Sequence, residues 1–318
     1  MKNILLVLAS LLLFITTYSW ACTSVGFAGD SVKGSGTILA KNRDAPINGY
    51  ERLAIFKPNN KYAYVALTYG SDNQESTYPY IAGGTNEKGL TILVNDPASH
   101  YPKHGSVDEI ETRTVRNILE NYATIKDIKA HAQDIFGEDD PALYVISDHN
   151  QVANFEAGYD HKYGEVIKNN GYVWNTNYYH VGNVNNQNLV ITKDVKLRSE
   201  TLNDWFKTMP KQVQLGDITR LLSSHYHGEF DSIDREVTVA QYFTVTPKVG
   251  APKLYIKLTI PTQNYNIYNF TANQAFFNDN PAGPLDNKKY GLLGSINEKK
   301  VNQFIKSIET ASPGKAVD

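Results

Sequence analysis

The sequence holds a single cysteine, Cys22, in 318 residues, so neither an internal disulfide nor a cysteine-rich zinc site is available to it. It also lacks charge of one sign: 31 Lys and Arg against 33 Asp and Glu leave a net −2. That balance excludes a binder that depends on clustered cations, and no nucleic-acid partner is expected. Glycine and proline, at 22 and 13, stay near ordinary usage while aromatics reach 11%, which excludes collagen-like and disordered chains. No internal repeat, low-complexity tract or long linker divides the chain. Past the first residues, no apolar run approaches the roughly 18 residues of a spanning helix, so no integral membrane span is expected. Gly34-Ser35-Gly36 lacks the helix that follows a phosphate loop, and His225-Tyr226-His227 has no His-x-x-x-His pair. Neither a metal nor an organic cofactor is expected.

What the sequence does contain begins at its first residues. Lys2 precedes a mostly apolar run from Ile4 to Ile15, and Ser19 and Ala21 supply the small-x-small pattern of a cleavage site. Residues 1–21 therefore read as a secretory signal peptide, to be removed by signal peptidase from an exported, periplasmic or secreted protein that begins at Cys22. Three uses of a lone thiol at that position stand open. It can carry lipid and anchor a binding protein that does no chemistry, although Ser19 and the bulky Trp20 fit a lipoprotein signal poorly. It can be a buried thiol with no chemical role. Or it can be a nucleophile whose own free α-amine, with an ordinary pKa of about 7.7 to 8.0, acts as the base.

The rest of the chain alternates blocks of strands with blocks of helices, the pattern of an α+β domain over residues 22–310 with a frayed tail at 311–318. Strands are expected at Thr23–Ala28, Thr37–Lys41, Arg52–Phe56, Tyr62–Thr68 and Leu90–Val94, with Asn86-Glu87-Lys88-Gly89 as a hairpin loop. A capping pattern at Ser106 and Glu109 opens a helix presenting Val115, Ile118, Leu119 and Tyr122, and a second helix runs from Thr124 to Gly137. Strands return at Ala142–Ser147, Val152–Glu156, Glu165–Ile167 and Tyr172–Thr176. Helices follow near Arg198–Met209 and Asp217–His225, strands near Val237–Thr246 and Lys253–Leu258, and a last helix after Ser295.

A nucleophile at Cys22 needs donors where negative charge develops on its target, and a group to orient the amine. Asn side chains and a carboxylate suit those tasks. They occur in Lys41-Asn42-Arg43-Asp44, in the run from Asn86 to Asn95-Asp96-Pro97, and in Asn175-Thr176-Asn177. Taken singly, Asp44 and Asn95 read as turn or strand-end residues, Asn177 as capping its own backbone, and Lys41 and Arg43 as a solvated strand face.

Taken in order, behind Cys22-Thr23 at a processed terminus, these elements resemble the choloylglycine hydrolase and penicillin V acylase family. They are equally similar to the isopenicillin-N acyltransferase-like enzymes. The resemblance runs from about Cys22 to Asn177. It implies a four-layer αββα sandwich of the N-terminal nucleophile hydrolase type and a cysteine amidase that cleaves a linear amide C–N bond of a small N-acyl substrate. It also implies roles: Cys22 the nucleophile, Asp44 the carboxylate that positions it, Asn95 an oxyanion donor and Asn177 a polar residue holding the tetrahedral intermediate. Where the hydrolases have Arg, this chain has Lys41; Arg43, two residues along the same strand, projects from the same face and can supply the guanidinium. Arg235 matches a late Arg of the family weakly. Bile-acid conjugates, penicillin V, acyl-homoserine lactones and other N-acyl amino compounds stay open as substrates, as does transfer of the acyl group to an amine instead of water. A dimer or tetramer would match the family habit.

Overall fold

A computed structural model describes residues 22–45, 51–69, 80–97, 107–138, 141–188, 190–259 and 265–293. The expected signal peptide, Ser106 of the capping pattern, the helix after Ser295 and the tail lie outside the described residues. Among the described residues, fifteen strands follow in chain order. They are β1 (Thr23–Ala28), β2 (Thr37–Asp44), β3 (Glu51–Phe56), β4 (Tyr64–Tyr69), β5 (Tyr80–Asn86), β6 (Thr91–Asn95), β7 (Ala142–Ser147) and β8 (Val152–Ala157). Then come β9 (Tyr163–Lys168), β10 (Gly171–Asn175), β11 (Thr238–Thr246), β12 (Lys253–Thr259), β13 (Tyr265–Thr271), β14 (Gly283–Pro284) and β15 (Gly291–Leu293). They form a seven-stranded sheet, β10-β1-β2-β11-β12-β13-β15, and an eight-stranded sheet, β14-β3-β4-β5-β6-β7-β8-β9.

Alternation along the strands sorts side chains between layers. In β1 and β2, Val25, Phe27, Ile38 and Ala40 face outward against helices α4 (Lys193–Thr208) and α5 (Leu215–Leu222), meeting Leu202, Leu215 and Ile218. Leu39 instead joins Leu53, Val65, Leu93, Val145 and Ile256 between the sheets. The outer face of the second sheet packs Tyr64, Ile92 and Tyr144 against α1 (Val107–Asn121), α2 (Ile125–Ala130) and α3 (Ala132–Phe136), through Val115, Ile118, Ile128 and Phe136. The layer order is αββα, as expected, and both faces of each central strand are covered. This is why β1, β2 and β11 are buried along their whole length.

Several elements differ from expectation for local reasons. The helix expected from Thr124 to Gly137 breaks at His131, whose φ of −120° is not helical. The helix expected near Arg198 starts five residues earlier, at Lys193, so Asp194 and Arg198 share its first turns. Leu215–Leu222 replaces Asp217–His225, the Gln214 N–H donating to Asp217 Oδ2 at 2.9 Å. Strand β5 is not among the expected strands, and its Gly83-Gly84 carries no side chain to signal one. A Cβ on Gly84 would lie 2.7 Å from the Val65 carbonyl oxygen and 2.9 Å from the Leu119 side chain, so glycine lets α1 close onto the sheet. Strand β13 was likewise hidden by its Asn residues. The Asn86–Gly89 hairpin is present: Gly89 has φ +85°, and Asn86 Oδ1 accepts from the N–H groups of Lys88 and Leu90.

Candidate active site

Cys22 is buried immediately before β1, with Thr23 paired to Asn42 and Ser24 to Lys41 across the β1–β2 hairpin. Partners in register share a face, so the strands present one set of polar groups to the opposite sheet and another to the helices.

On the sheet-facing side, Ser24 donates to Asn95 Oδ1 at 2.9 Å, and Asn95 Nδ2 donates to the Asn175 carbonyl at 3.4 Å. Lys41 and Arg43 share this face, as expected, but they are used differently. Lys41 Nζ donates to the Val94 carbonyl in β6, tying the two sheets together. Arg43 lies with its guanidinium 5.6 and 5.2 Å from the rings of Tyr69 and Tyr80, and its Nε is 3.7 Å from Glu51. Burial opposes its charge, yet Tyr80, Cys22, Glu51 and Asp96 together hold its pKa above the ordinary value. Burial pushes the Glu51 carboxyl up, and Arg43 only partly offsets it.

The helix-facing side centres on Arg198, which is completely buried. One of its terminal nitrogens donates to the Cys22 carbonyl at 2.7 Å, to Thr23 Oγ1 at 3.0 Å and to Asn177 Oδ1 at 3.3 Å. The other reaches Asp194 at 3.2 Å, Asn177 Oδ1 at 3.3 Å and the Thr176 carbonyl at 3.4 Å. Arg235 then bridges Asp194, at 3.7 Å, to Asp44, at 3.2 Å, and Thr238 donates to Asp44 Oδ1 at 2.6 Å. The result is an unbroken chain of two anions and two cations from Asp44 to the main chain of Cys22. Burial pushes the Asp44 carboxyl up against the pull of Arg235 and Arg198. Burial also acts to raise Asp194, but Arg198, Thr192 and Arg235 outweigh it and hold that carboxyl below its ordinary value.

Asn177 adopts φ +77°, a left-handed conformation that asparagine tolerates better than most residues. Its Nδ2 donates to the Asp96 carbonyl at 2.7 Å and its N–H to Asn175 Oδ1 at 2.7 Å. It thus locks the end of β10 to the segment after Asn95. All six residues singled out in the sequence, Cys22, Lys41, Arg43, Asp44, Asn95 and Asn177, converge at this end of β1 and β2. Arg235, the weakest match, belongs with them through Asp44. Arg198 was not anticipated: with Asp194 at i−4 it has the spacing of an ordinary surface pair on a helix. Only the helix's inward face distinguishes it.

A thiol beside a guanidinium, a carbonyl held from behind and an Asn amide from the opposite sheet make an arrangement suited to attack on a carbonyl carbon. A family model described as acyl-coenzyme A:6-aminopenicillanic acid acyl-transferase matches residues 31–246. Comparison with curated proteins finds no significant match. Among solved structures, a variant of conjugated bile acid hydrolase from Clostridium perfringens aligns at 13% identity over 87% of this chain and 100% of that chain, with a TM-score of 0.53. A second variant of that hydrolase aligns at 13% identity over 83% and 96%, with a TM-score of 0.50. Penicillin V acylase from Agrobacterium tumefaciens aligns at 13% identity over 80% and 89%, with a TM-score of 0.49.

Proposed function

Because this chain belongs to the acyl-coenzyme A:6-aminopenicillanic acid acyl-transferase family, we propose that it is an exported N-terminal cysteine amidase acting on small N-acyl substrates. Removal of residues 1–21 by signal peptidase frees the α-amine of Cys22. That amine takes the thiol proton while Sγ attacks the amide carbonyl. Asn95 Nδ2, now directed at the Asn175 carbonyl, turns to the developing oxyanion, and Arg43 stabilises the charge around the sulfur. The C–N bond breaks, the proton held by the α-amine goes to the departing nitrogen, and a thioester remains on Cys22. Water then attacks the thioester, releasing the acid and restoring the thiol.

The observation that carries this reading is the grip of Arg198 on the Cys22 carbonyl, because it immobilises the main chain of the one residue that must supply both nucleophile and base. Bile-acid conjugates, penicillin V and other N-acyl amino compounds make up the substrate class. The family's description as an acyl-transferase favours a second reading, in which an amine takes the acyl group from the thioester. Cys22→Ala and Cys22→Ser, each exported and processed, test both readings: loss of hydrolysis and of transfer is expected, and a variant as active as the wild type overturns them. Product analysis with and without an added amine separates hydrolysis from transfer.

A further inference from the structure

Behind the site, between the sheets, Glu156 is wholly buried in β8. Its carboxylate is saturated by neutral donors. Oε1 accepts from Asn154 Nδ2 at 2.9 Å and Asn175 Nδ2 at 3.1 Å, and Oε2 accepts from the N–H groups of His180 and Val181, both at 2.9 Å. No Lys or Arg among the described residues forms an ion pair with it; the nearest charged-capable group is His180 Nδ1, at 3.7 Å. The His180 ring lies over Trp174 with centroids 4.4 Å apart.

What this carboxylate holds is the segment that reaches the site. Asn175 gives its carbonyl to Asn95 Nδ2 and its Oδ1 to the Asn177 N–H, and Asn177 in turn meets Arg198. A buried carboxylate is costly to desolvate, and one charged acceptor shared by four donors fixes their relative positions. We propose that Glu156 is a positioning residue whose carboxylate sets the Asn175–Val181 segment so that Asn95 and Asn177 stand correctly around Cys22 during acyl transfer. This rests on Cys22 being the nucleophile. Glu156 touches no reacting atom and acts through Asn175.

The test uses processed enzyme, the N-acyl 4-nitroanilide that the wild type turns over best, and two variants. Glu156→Gln turns one oxygen into a donor facing donors. Asn154→Ala keeps the carboxylate and removes one of its partners. Rates are referred to folded protein, read from near-ultraviolet circular dichroism. For Glu156→Gln the expected result is a fall in kcat of about 10- to 100-fold, the scale of a displacement of about 1 Å, with KM within about twofold of wild type. Asn154→Ala is expected to lower kcat less, again with KM kept, and it decides the matter if Glu156→Gln does not fold. Wild-type kcat per folded molecule in the variants, or losses explained entirely by unfolded protein, would overturn the proposal. Cys22→Ala run alongside reports separately on the nucleophile, so activity surviving in that variant marks failure of the functional reading and not of Glu156.

Discussion

The two faces of the β1–β2 hairpin meet the same problem, polar groups shut away from water, with different solutions. On the helix side, Asp44 and Asp194 are matched by Arg198 and Arg235 at 3.2 to 3.7 Å. On the sheet side, Glu156 has only amide donors. Opposite charge holds Asp194 below its ordinary pKa even though burial opposes it. Dipoles alone do not achieve this for Glu156, where burial exceeds the four hydrogen bonds and pushes the carboxyl to about 7. The ionic side therefore holds Asp194 low while burial still raises Asp44, and the amide side sets Glu156 near its titration point.

The largest expected effect comes from breaking the ionic side. Arg198→Leu leaves Asp194 and Asn177 without their shared donor and frees the Cys22 carbonyl, and should cost about 3 to 5 kcal/mol of stability in urea unfolding. Arg198→Lys should rescue little of it, since an ammonium cannot hold partners at both ends of a planar fork. Full rescue by Lys would mean that only the charge matters. Next in size, on the sheet side, Asn95→Ala should lower kcat about 10²- to 10³-fold with the fold retained. A change confined to KM would show that Asn95 binds substrate instead of stabilising the oxyanion.

The pH dependence of stability sharpens the contrast further. Glu156, raised from 4.5 to about 7, contributes stability that is complete below 4.5 and disappears as pH rises through about 7. His180, lowered by burial from 6.5 to about 4, contributes stability that is present above 6.5 and lost as pH falls through about 4. Each amounts to about 3 kcal/mol, and between pH 4.5 and 6.5 they oppose one another. Glu156→Gln should leave the His180 dependence alone, so that the variant loses stability on acidification across this range while the wild type stays nearly level. Parallel unfolding curves at pH 4.5, 5.5 and 6.5 decide it; equal slopes in both proteins would contradict the assignment. Smallest of all, Arg113→Ala removes a pair with Glu138 whose side chains are 65% and 60% exposed, and should change the unfolding free energy by less than about 0.5 kcal/mol.

Much of this organisation is legible in the sequence because it is periodic or local. The alternation in Thr23–Ala28 and Val237–Thr246, the apolar spacing of Val115, Ile118 and Leu119, and the Asn86–Gly89 turn all declare themselves within a few residues. The order of Cys22, Asp44, Asn95 and Asn177 marked them as candidates because a lone cysteine drew attention to them. What stayed hidden depends on contacts distant in the chain. Arg198 meets Cys22 across 176 residues, and its neighbour Asp194 disguised it as half of a helix surface pair. Glu156 ends an ordinary-looking strand, and only the return of β10 beside β1 shows what its carboxylate holds. The different settings of Lys41 and Arg43 needed the second sheet, since the Val94 carbonyl that Lys41 meets lies in β6.

The most direct test of the central claim is a mass measurement on protein recovered from its native export route and acid-quenched during turnover of an N-acyl amide. The account predicts a chain that begins at an unmodified Cys22 and, in the quenched sample, the same chain heavier by one acyl group on its N-terminal peptide, released by hydroxylamine. A diacylglyceryl adduct on Cys22, cleavage at another residue, or an acyl group carried elsewhere in the chain would contradict it.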